Sequence, residues 1–236
     1  MTSSEQNDGL LAKALTVHQL LIEEYGQQEW HPREPLSVLI SAILSQNTSD
    51  VNRDQAWRRL KQRFPAWEDV LAADISEIAE AIRPGGLANV KAPRIQEALR
   101  AIKLERGELT LDFIAEMEVD EAKQWLTSLN GVGPKTAAIV LLFSLGKPAF
   151  PVDTHVHRVS RRLGLIGPKT SREQAHEILE ELLPSEIYYT FHLNLIAHGR
   201  EVCQSQQPRC ATCVLREHCD YYRANAIKLS AVGRVA

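Results

Sequence analysis

The chain has 236 residues, 44% apolar and 24% charged, with a formal net charge of −3; that is room for one large domain or two small ones and the composition of a globular protein. No apolar run approaches the length of a membrane span, and residues 1–8 lack the basic-then-apolar order of a secretory signal, so the expected location is the cytosol. Charge favours a small-molecule enzyme slightly over a nucleic-acid binder, since residues 1–152 carry 16 Lys+Arg against 21 Asp+Glu while 153–236 carry 11 against 9; any nucleic-acid face must be local.

Residues 2–9 are polar and read as frayed. From Leu10 to Tyr25 the apolar positions Leu11, Leu15, Val17, Leu20, Leu21 and Tyr25 recur at helical spacing. Two prolines make 31–35 a loop, and Leu36 to Leu44 reads as a core helix. The polar cluster Ser45-Gln46-Asn47-Thr48-Ser49-Asp50 follows. By residue chemistry it is a capped helix–helix turn, with Ser49 or Asp50 as N-cap of an amphipathic helix over Val51–Phe64; the alternative is a polar loop presented to a ligand. That second helix carries Arg53, Arg58, Arg59, Lys61 and Arg63.

Short helices are expected from Pro65 and around Ile75–Ile82, then a hard turn over Arg83-Pro84-Gly85-Gly86-Leu87-Ala88-Asn89. Leu87 in such a turn is either exposed or tucked back as a staple. Helices over Lys91–Ile102 and Val119–Leu129 flank a turn at Gly107 and a short linker. Further helices are read over Thr154–Leu163, Ser171–Leu183 and Ile187–Gly199, and 224–236 reads as a loose tail. No strand pattern, fixed-period repeat or low-complexity tract is found, so the class is all-α. The helices after 153 cannot easily bury their apolar faces alone, which suggests that they pack with the N-terminal helix around an inserted domain near 28–148.

The stretch Leu129-Asn130-Gly131-Val132-Gly133-Pro134-Lys135-Thr136-Ala137 is the most informative. Gly131 and Gly133 permit a tight turn whose backbone N–H groups face outward beside a helix N-terminus, a phosphate-binding arrangement. Val132 anchors the turn in the core. Pro134 suits the first helical position, which makes Gly133 the N-cap and puts Lys135 in the first turn. A lysine there is a poor choice for helix stability, because the N-terminus disfavours a cation; an amine that loses its proton more readily is a better nucleophile and Schiff-base former. The motif alone leaves two readings open, that amine chemistry and a solvated lysine attracting phosphate. Asp153, one apolar helix later in Val152-Asp153-Thr154-His155, favours the chemical one. It can N-cap the next helix, in competition with Thr154, and it can orient or deprotonate an amine or water.

All four cysteines fall in Cys203-x6-Cys210-x2-Cys213-x5-Cys219. Grouped in a chain without a secretion signal, they read as a metal or cluster site. Zinc and a cubane iron–sulfur cluster both suit the spacing.

Taken with residues 151–159, these motifs resemble the endonuclease III family of the helix-hairpin-helix DNA glycosylases over roughly residues 10–222. The resemblance implies a six-helix barrel domain at 28–148, and a second domain from residues 1–27 and 149–223 carrying a [4Fe-4S] cluster on Cys203, Cys210, Cys213 and Cys219. It implies a monomeric base-excision-repair glycosylase acting on double-stranded DNA that contains damaged bases or abasic sites, with no membrane partner. Lys135 matches the family lysine that attacks the sugar, expels the base and forms an imine ahead of β-elimination; Asp153 matches the assisting aspartate. Gly131, Val132, Gly133 and Thr136 match the DNA-gripping hairpin. Gln46 or Asn47 takes the gap-filling role, and Leu87 matches the other intercalating residue. The lysine implies AP-lyase activity. Oxidised pyrimidines are the family's usual bases, while relatives take uracil, mismatched thymine or oxidised purines; a non-catalytic DNA-binding module is the further alternative. Asn130 and Pro134 stand where a proline and a basic residue are frequent in the family.

Overall fold

The computed structural model describes residues 3–225, and no strand occurs among them. The chain forms two compact units. One, the terminal unit, is built from the chain before His31 and after Lys147; the other, the central unit, is His31–Lys147.

The chain begins with α1 (Ser3–Tyr25). It starts several residues earlier than the apolar periodicity indicates, so residues 3–9 are helical rather than frayed. A polar sequence can extend a helix that is already nucleated, because each added residue brings its own hydrogen bond.

The central unit contains α2 (Pro35–Leu44), α3 (Asp50–Arg63), α4 (Trp67–Ala72), α5 (Ile75–Ile82), α6 (Ala88–Arg106), α7 (Val119–Ser128) and α8 (Pro134–Leu145). Its core element is α2, in which Leu36, Leu39, Ile40, Ile43 and Leu44 are fully buried. A helix apolar on nearly every side must be surrounded, and each such side chain contributes about 1.5–3 kcal/mol by leaving water. Pro35 opens this helix, and the Glu34 carboxylate accepts the N–H groups of Leu36 and Ser37 at 2.7 and 2.6 Å. The chief partner of α2 is α8, while α7 packs on α8 and α5 on α6. Ser49, not Asp50, caps α3, accepting the Asn52 N–H.

The basic face of α3 is largely neutralised. Arg53 pairs with Asp50 and Asp54, Arg59 with Glu80, and Arg63 with Glu77. Such exposed pairs add little stability, but they remove most of this helix's free positive charge.

The terminal unit packs α1 and α9 (Thr154–Leu163) against α11 (Tyr188–Glu201), with α10 (Arg172–Leu182) alongside. Ser171 and Gln174 form a reciprocal capping box at the start of α10. The apolar centre is aromatic: Phe150 lies 5.2 Å from Tyr188 and 6.2 Å from Phe191 between ring centroids. Residues 220–225 are helical. The remainder of the expected tail, 226–236, lies outside the described residues.

His18 presents its ring edge-on to Phe191, at 5.5 Å and 85°. Its Nδ1 has no hydrogen-bond partner, and burial holds its pKa below the ordinary 6.5. Below that pH the unfolded chain therefore takes up a proton at His18 that the folded chain resists, and stability falls as pH falls. Urea unfolding followed by circular dichroism is expected to show a midpoint that declines on acidification below pH 6.5, with a shallower decline in His18→Phe.

Candidate functional site

The glycine hairpin closes with the Val132 N–H donating to the Leu129 carbonyl at 3.0 Å. Gly131 adopts φ +81°, where a side chain is strained, and its Cα faces the stem of Arg94: a Cβ there would sit 2.6 Å from Arg94 Cδ. Gly133 is extended, with φ −100° and ψ 178°, and precedes Pro134 as the N-cap residue of α8 without a side-chain cap. The left-handed turn is therefore carried by Gly131 alone, and the Val132 N–H is spent inside it. The N–H groups of Gly133, Lys135 and Thr136 have no acceptor among the described residues. They form the open donor set at this helix end. The side chains of Val132 and Thr136 are buried, so Val132 acts as the anchor, and Thr136 offers a ligand its backbone only.

Lys135 is half-buried in the first turn of α8, and its ammonium has no carboxylate partner among the described residues. Asn130 donates from Nδ2 to Glu97 Oε2 of α6 at 2.7 Å. That bond ties the hairpin entry to the helix that also supplies Arg94.

Two further loops of the central unit carry the remaining central residues. Gln46 donates from Nε2 to the Gly131 carbonyl at 2.9 Å and accepts from Arg94 Nη1 at 3.4 Å. It is part of the hairpin's scaffold. Asn47, the next residue, is exposed in the left-handed region at φ 51°. Leu87 shares that φ and is 53% exposed, so it is no staple. An exposed leucine and an exposed asparagine, each at a backbone angle that L-residues disfavour, mark both loops as places where the fold holds a side chain outward.

Asp153 lies in the terminal unit. It won the competition with Thr154 and caps α9, accepting the Val156 N–H on Oδ1 at 2.7 Å. The segment before it is locked. Ala149, Phe150 and Val152 are buried; the Phe150 N–H donates to Glu180 at 2.8 Å. His176 Nδ1 lies 2.9 Å from the Phe150 carbonyl and His192 Nδ1 2.9 Å from that of Pro151. A carbonyl only accepts, so both rings must donate there. These buried histidines, which the sequence pattern did not single out, position the aspartate. Their only signal is a position on the apolar face of a helix, which a packed aromatic shares.

In the same unit Cys203, Cys210, Cys213 and Cys219 are all unpaired thiols. They line one small pocket with His198, Arg162, Leu215 and Tyr221 among its walls. Burial, followed by mutual proximity, raises the thiol pKa of Cys210, and burial raises those of Cys213, to about 11, and Cys219. Arg162 Nη1 lies 3.2 Å from Cys203 Sγ and donates to the Gln204 carbonyl at 2.7 Å. Arg158 donates to the Cys203 and Gly199 carbonyls. His198 Nε2 lies 3.4 Å from Cys213 Sγ and its Nδ1 3.2 Å from the Tyr25 hydroxyl. Both arginines sit on α9, the helix that Asp153 begins.

A model of the HhH-GPD superfamily of base excision DNA repair proteins matches residues 40–185. An Arabidopsis thaliana protein with a provisional DNA-glycosylase name is 39% identical over 72% of this chain, which spans 58% of that protein's length. Endonuclease III of Thermotoga maritima is 36% identical over 80% of this chain and 84% of its own. Among solved structures, a trapped covalent intermediate of Endonuclease III with DNA, an estranged-adenine complex, aligns with a TM-score of 0.74 at 29% identity, over 96% of this chain and 100% of that one.

The two hairpin glycines are expected to differ sharply in tolerance. Gly131→Ala forces a side chain into the left-handed region and onto Arg94, and should cost about 1–2 kcal/mol. Gly133→Ala meets open space and should cost less. Thermal unfolding of the two variants checks the order.

Proposed function

Because the chain belongs to the HhH-GPD superfamily of base excision DNA repair proteins and is a DNA glycosylase of the endonuclease III type, we propose that it removes damaged bases through Lys135 and then cleaves the strand as an AP lyase. The observation that carries the proposal is the placement of Lys135: a half-buried amine without a carboxylate partner among the described residues, in the first turn of a helix whose entrance presents free N–H groups. Those donors suit a phosphate. They hold the DNA backbone while the amine meets the adjoining sugar.

In the proposed reaction the Lys135 amine, once deprotonated, attacks the anomeric carbon of the damaged nucleotide. The new C–N bond forms as the glycosidic C–N bond breaks. The base leaves with that electron pair and is protonated. The attacking nitrogen loses its proton to a general base, the part that the resemblance to the endonuclease III family gives to Asp153. Opening of the sugar ring gives the imine. Loss of a proton from the neighbouring carbon then expels the 3′ phosphate by β-elimination, and water releases the lysine. The cap bond to Val156 engages Oδ1 of Asp153, and the locked segment behind it gives the carboxylate a fixed origin.

Asn47 fills the gap left by the extruded base, since Gln46 is committed to the Gly131 carbonyl; Leu87 enters the stack as the second wedge. The substrate is double-stranded DNA bearing an oxidised pyrimidine, bound by a monomer in the cytosol.

The four thiols fit a [4Fe-4S] cluster. They are free and they share one pocket. Four thiols so gathered admit a cluster or a zinc ion, and the likeness to Endonuclease III favours the cluster. The raised thiol pKa values describe sulfurs that keep their protons until soft cations displace them. Cys203, Cys210, Cys213 and Cys219 would hold the cluster, which supplies a structural tie and a redox centre. Arg158 and Arg162 place positive charge beside the ligand loop and bond its carbonyls.

Three measurements test these assignments. Borohydride reduction of the protein mixed with abasic-site DNA should trap a covalent complex that Lys135→Ala abolishes; a complex that persists in that variant overturns the lyase mechanism. In the same assay format, with thymine glycol, uracil, mismatched thymine and 8-oxoguanine duplexes, the oxidised pyrimidine should be excised fastest. Asp153→Asn should lower that rate by about 10²-fold or more, with DNA binding retained. Separately, the purified protein should be brown with broad visible absorbance that Cys210→Ala or Cys213→Ala removes; a colourless protein containing zinc contradicts the cluster.

A further inference from the structure

Lys91 is the one Lys, Arg, Asp or Glu side chain fully buried among the described residues, at 1% exposure. Such side chains are almost never buried unless paired, and its partners are not carboxylates. Its Nζ donates to the Leu44 carbonyl at 2.7 Å and to the Gly85 carbonyl at 2.8 Å. Leu44 is the last residue of α2, and Gly85 is the last of the 3-10 turn Arg83–Gly85. A cation on two such C-terminal carbonyls satisfies groups that these turns leave unpaired, at the negative end of each dipole.

Each of these carbonyls stands at the root of a loop. Three residues after Leu44 the chain reaches Asn47; two residues after Gly85 it reaches Leu87. Both are exposed and both sit at φ 51°. The stems of the two loops also touch around the same point: a Cβ on Gly85 would lie 3.1 Å from Ala56 Cβ and 3.9 Å from the Leu44 carbonyl oxygen. An apolar side chain of the same length would fill the space of Lys91 with less desolvation, but it could not bond both carbonyls.

We infer that Lys91 is a positioning residue for base extrusion. It ties the Asn47 loop and the Leu87 loop to one nitrogen, so that both side chains enter the duplex at the same step. This rests on the proposed role of Asn47 and Leu87 as the wedge residues. A duplex is opened against stacking and pairing, and two wedges on independently moving loops would give up part of that work. Lys91 touches neither substrate nor reacting atoms in this scheme; it acts through the backbone.

The test compares Lys91→Met with the unaltered full-length protein. Hydrogen exchange on the free protein reads the tether without DNA. Amides of 45–49 and 86–90 should both exchange faster, while those of α7 should not. Single-turnover excision from a thymine glycol duplex should fall by about tenfold or more, as expected when buried carbonyls lose their donor. Cleavage of a preformed abasic site, which has no base to unstack, should fall far less. 2-Aminopurine placed beside the lesion should show a smaller fluorescence rise on binding. Faster exchange in only one loop or in neither, or an equal loss of excision and abasic cleavage, overturns the inference. If Lys91→Met does not fold, Gly85→Ala displaces one of the two carbonyls with Lys91 in place. The same selective loss is then expected, and an unselective result overturns the inference. Absence of excision by the unaltered protein counts against the glycosylase reading alone, because the exchange data still decide whether Lys91 couples the loops.

Discussion

A helix leaves backbone groups unpaired at both ends, and in an all-α protein those ends are where the chain must solve its hydrogen bonding. This protein solves the problem differently at each end that matters. Glu34 and Ser49 close the starts of α2 and α3 with side-chain oxygens. Lys91 closes the far end of α2 and the turn at Gly85 with one ammonium. Asp153 closes the start of α9. At α8 the N-cap is Gly133, which has no side chain to offer, and the first helical residue is a proline. The donors of that turn face outward. Stability and ligand-binding capacity thus draw on the same set of backbone groups.

The same constraint accounts for a DNA glycosylase with a net charge of −3. The most basic helix, α3, has spent much of its charge on Asp50, Asp54, Glu77 and Glu80. The proposed grip on a phosphate backbone rests on the N–H groups of Gly133, Lys135 and Thr136, which carry partial charge and fixed direction. Donors of that kind specify where a phosphate sits. A mobile surface lysine attracts phosphate but does not locate it. For the proposed reaction, which needs one particular sugar placed against one particular amine, location is the scarcer quantity.

Much of this was legible in the residues. Gly131-Val132-Gly133-Pro134-Lys135 could be read because a glycine turn, a first-turn proline and an out-of-place lysine each have a local cause. Ser171 with Gln174 and Asp153 before α9 were legible for the same reason, and the four cysteines by spacing. The features that stayed hidden depend on distant backbone. Lys91 occupies a position four residues before Ile95 and eight before Leu99, on the buried face of α6, yet a lysine there reads as a helix start until the carbonyls of Leu44 and Gly85 are in view. Gln46 and Asn47 were indistinguishable as adjacent amides; the Gly131 carbonyl separates them. His176 and His192 read as helix-face residues, and only the carbonyls of Phe150 and Pro151 reveal their work. Local chemistry predicts caps; only tertiary structure shows which carbonyl or amide a long side chain will reach.

The cysteine loop extends the same logic to charge. Burial raises the thiol pKa of Cys210, Cys213 and Cys219 in the cysteine loop. A loop of that kind is poorly matched to holding itself together. Its carbonyls at 203, 204 and 205 are instead bonded by Arg158 and Arg162 from α9, and Arg162 also stacks over Tyr221 at 4.7 Å. The helix that Asp153 begins is therefore the helix that carries the ligand loop. Any loosening of the cysteine loop would reach α9 through these two arginines rather than through contact with the aspartate. One ten-residue helix thus runs from the carboxylate of Asp153, which caps its start, to the arginines that bond the cysteine loop.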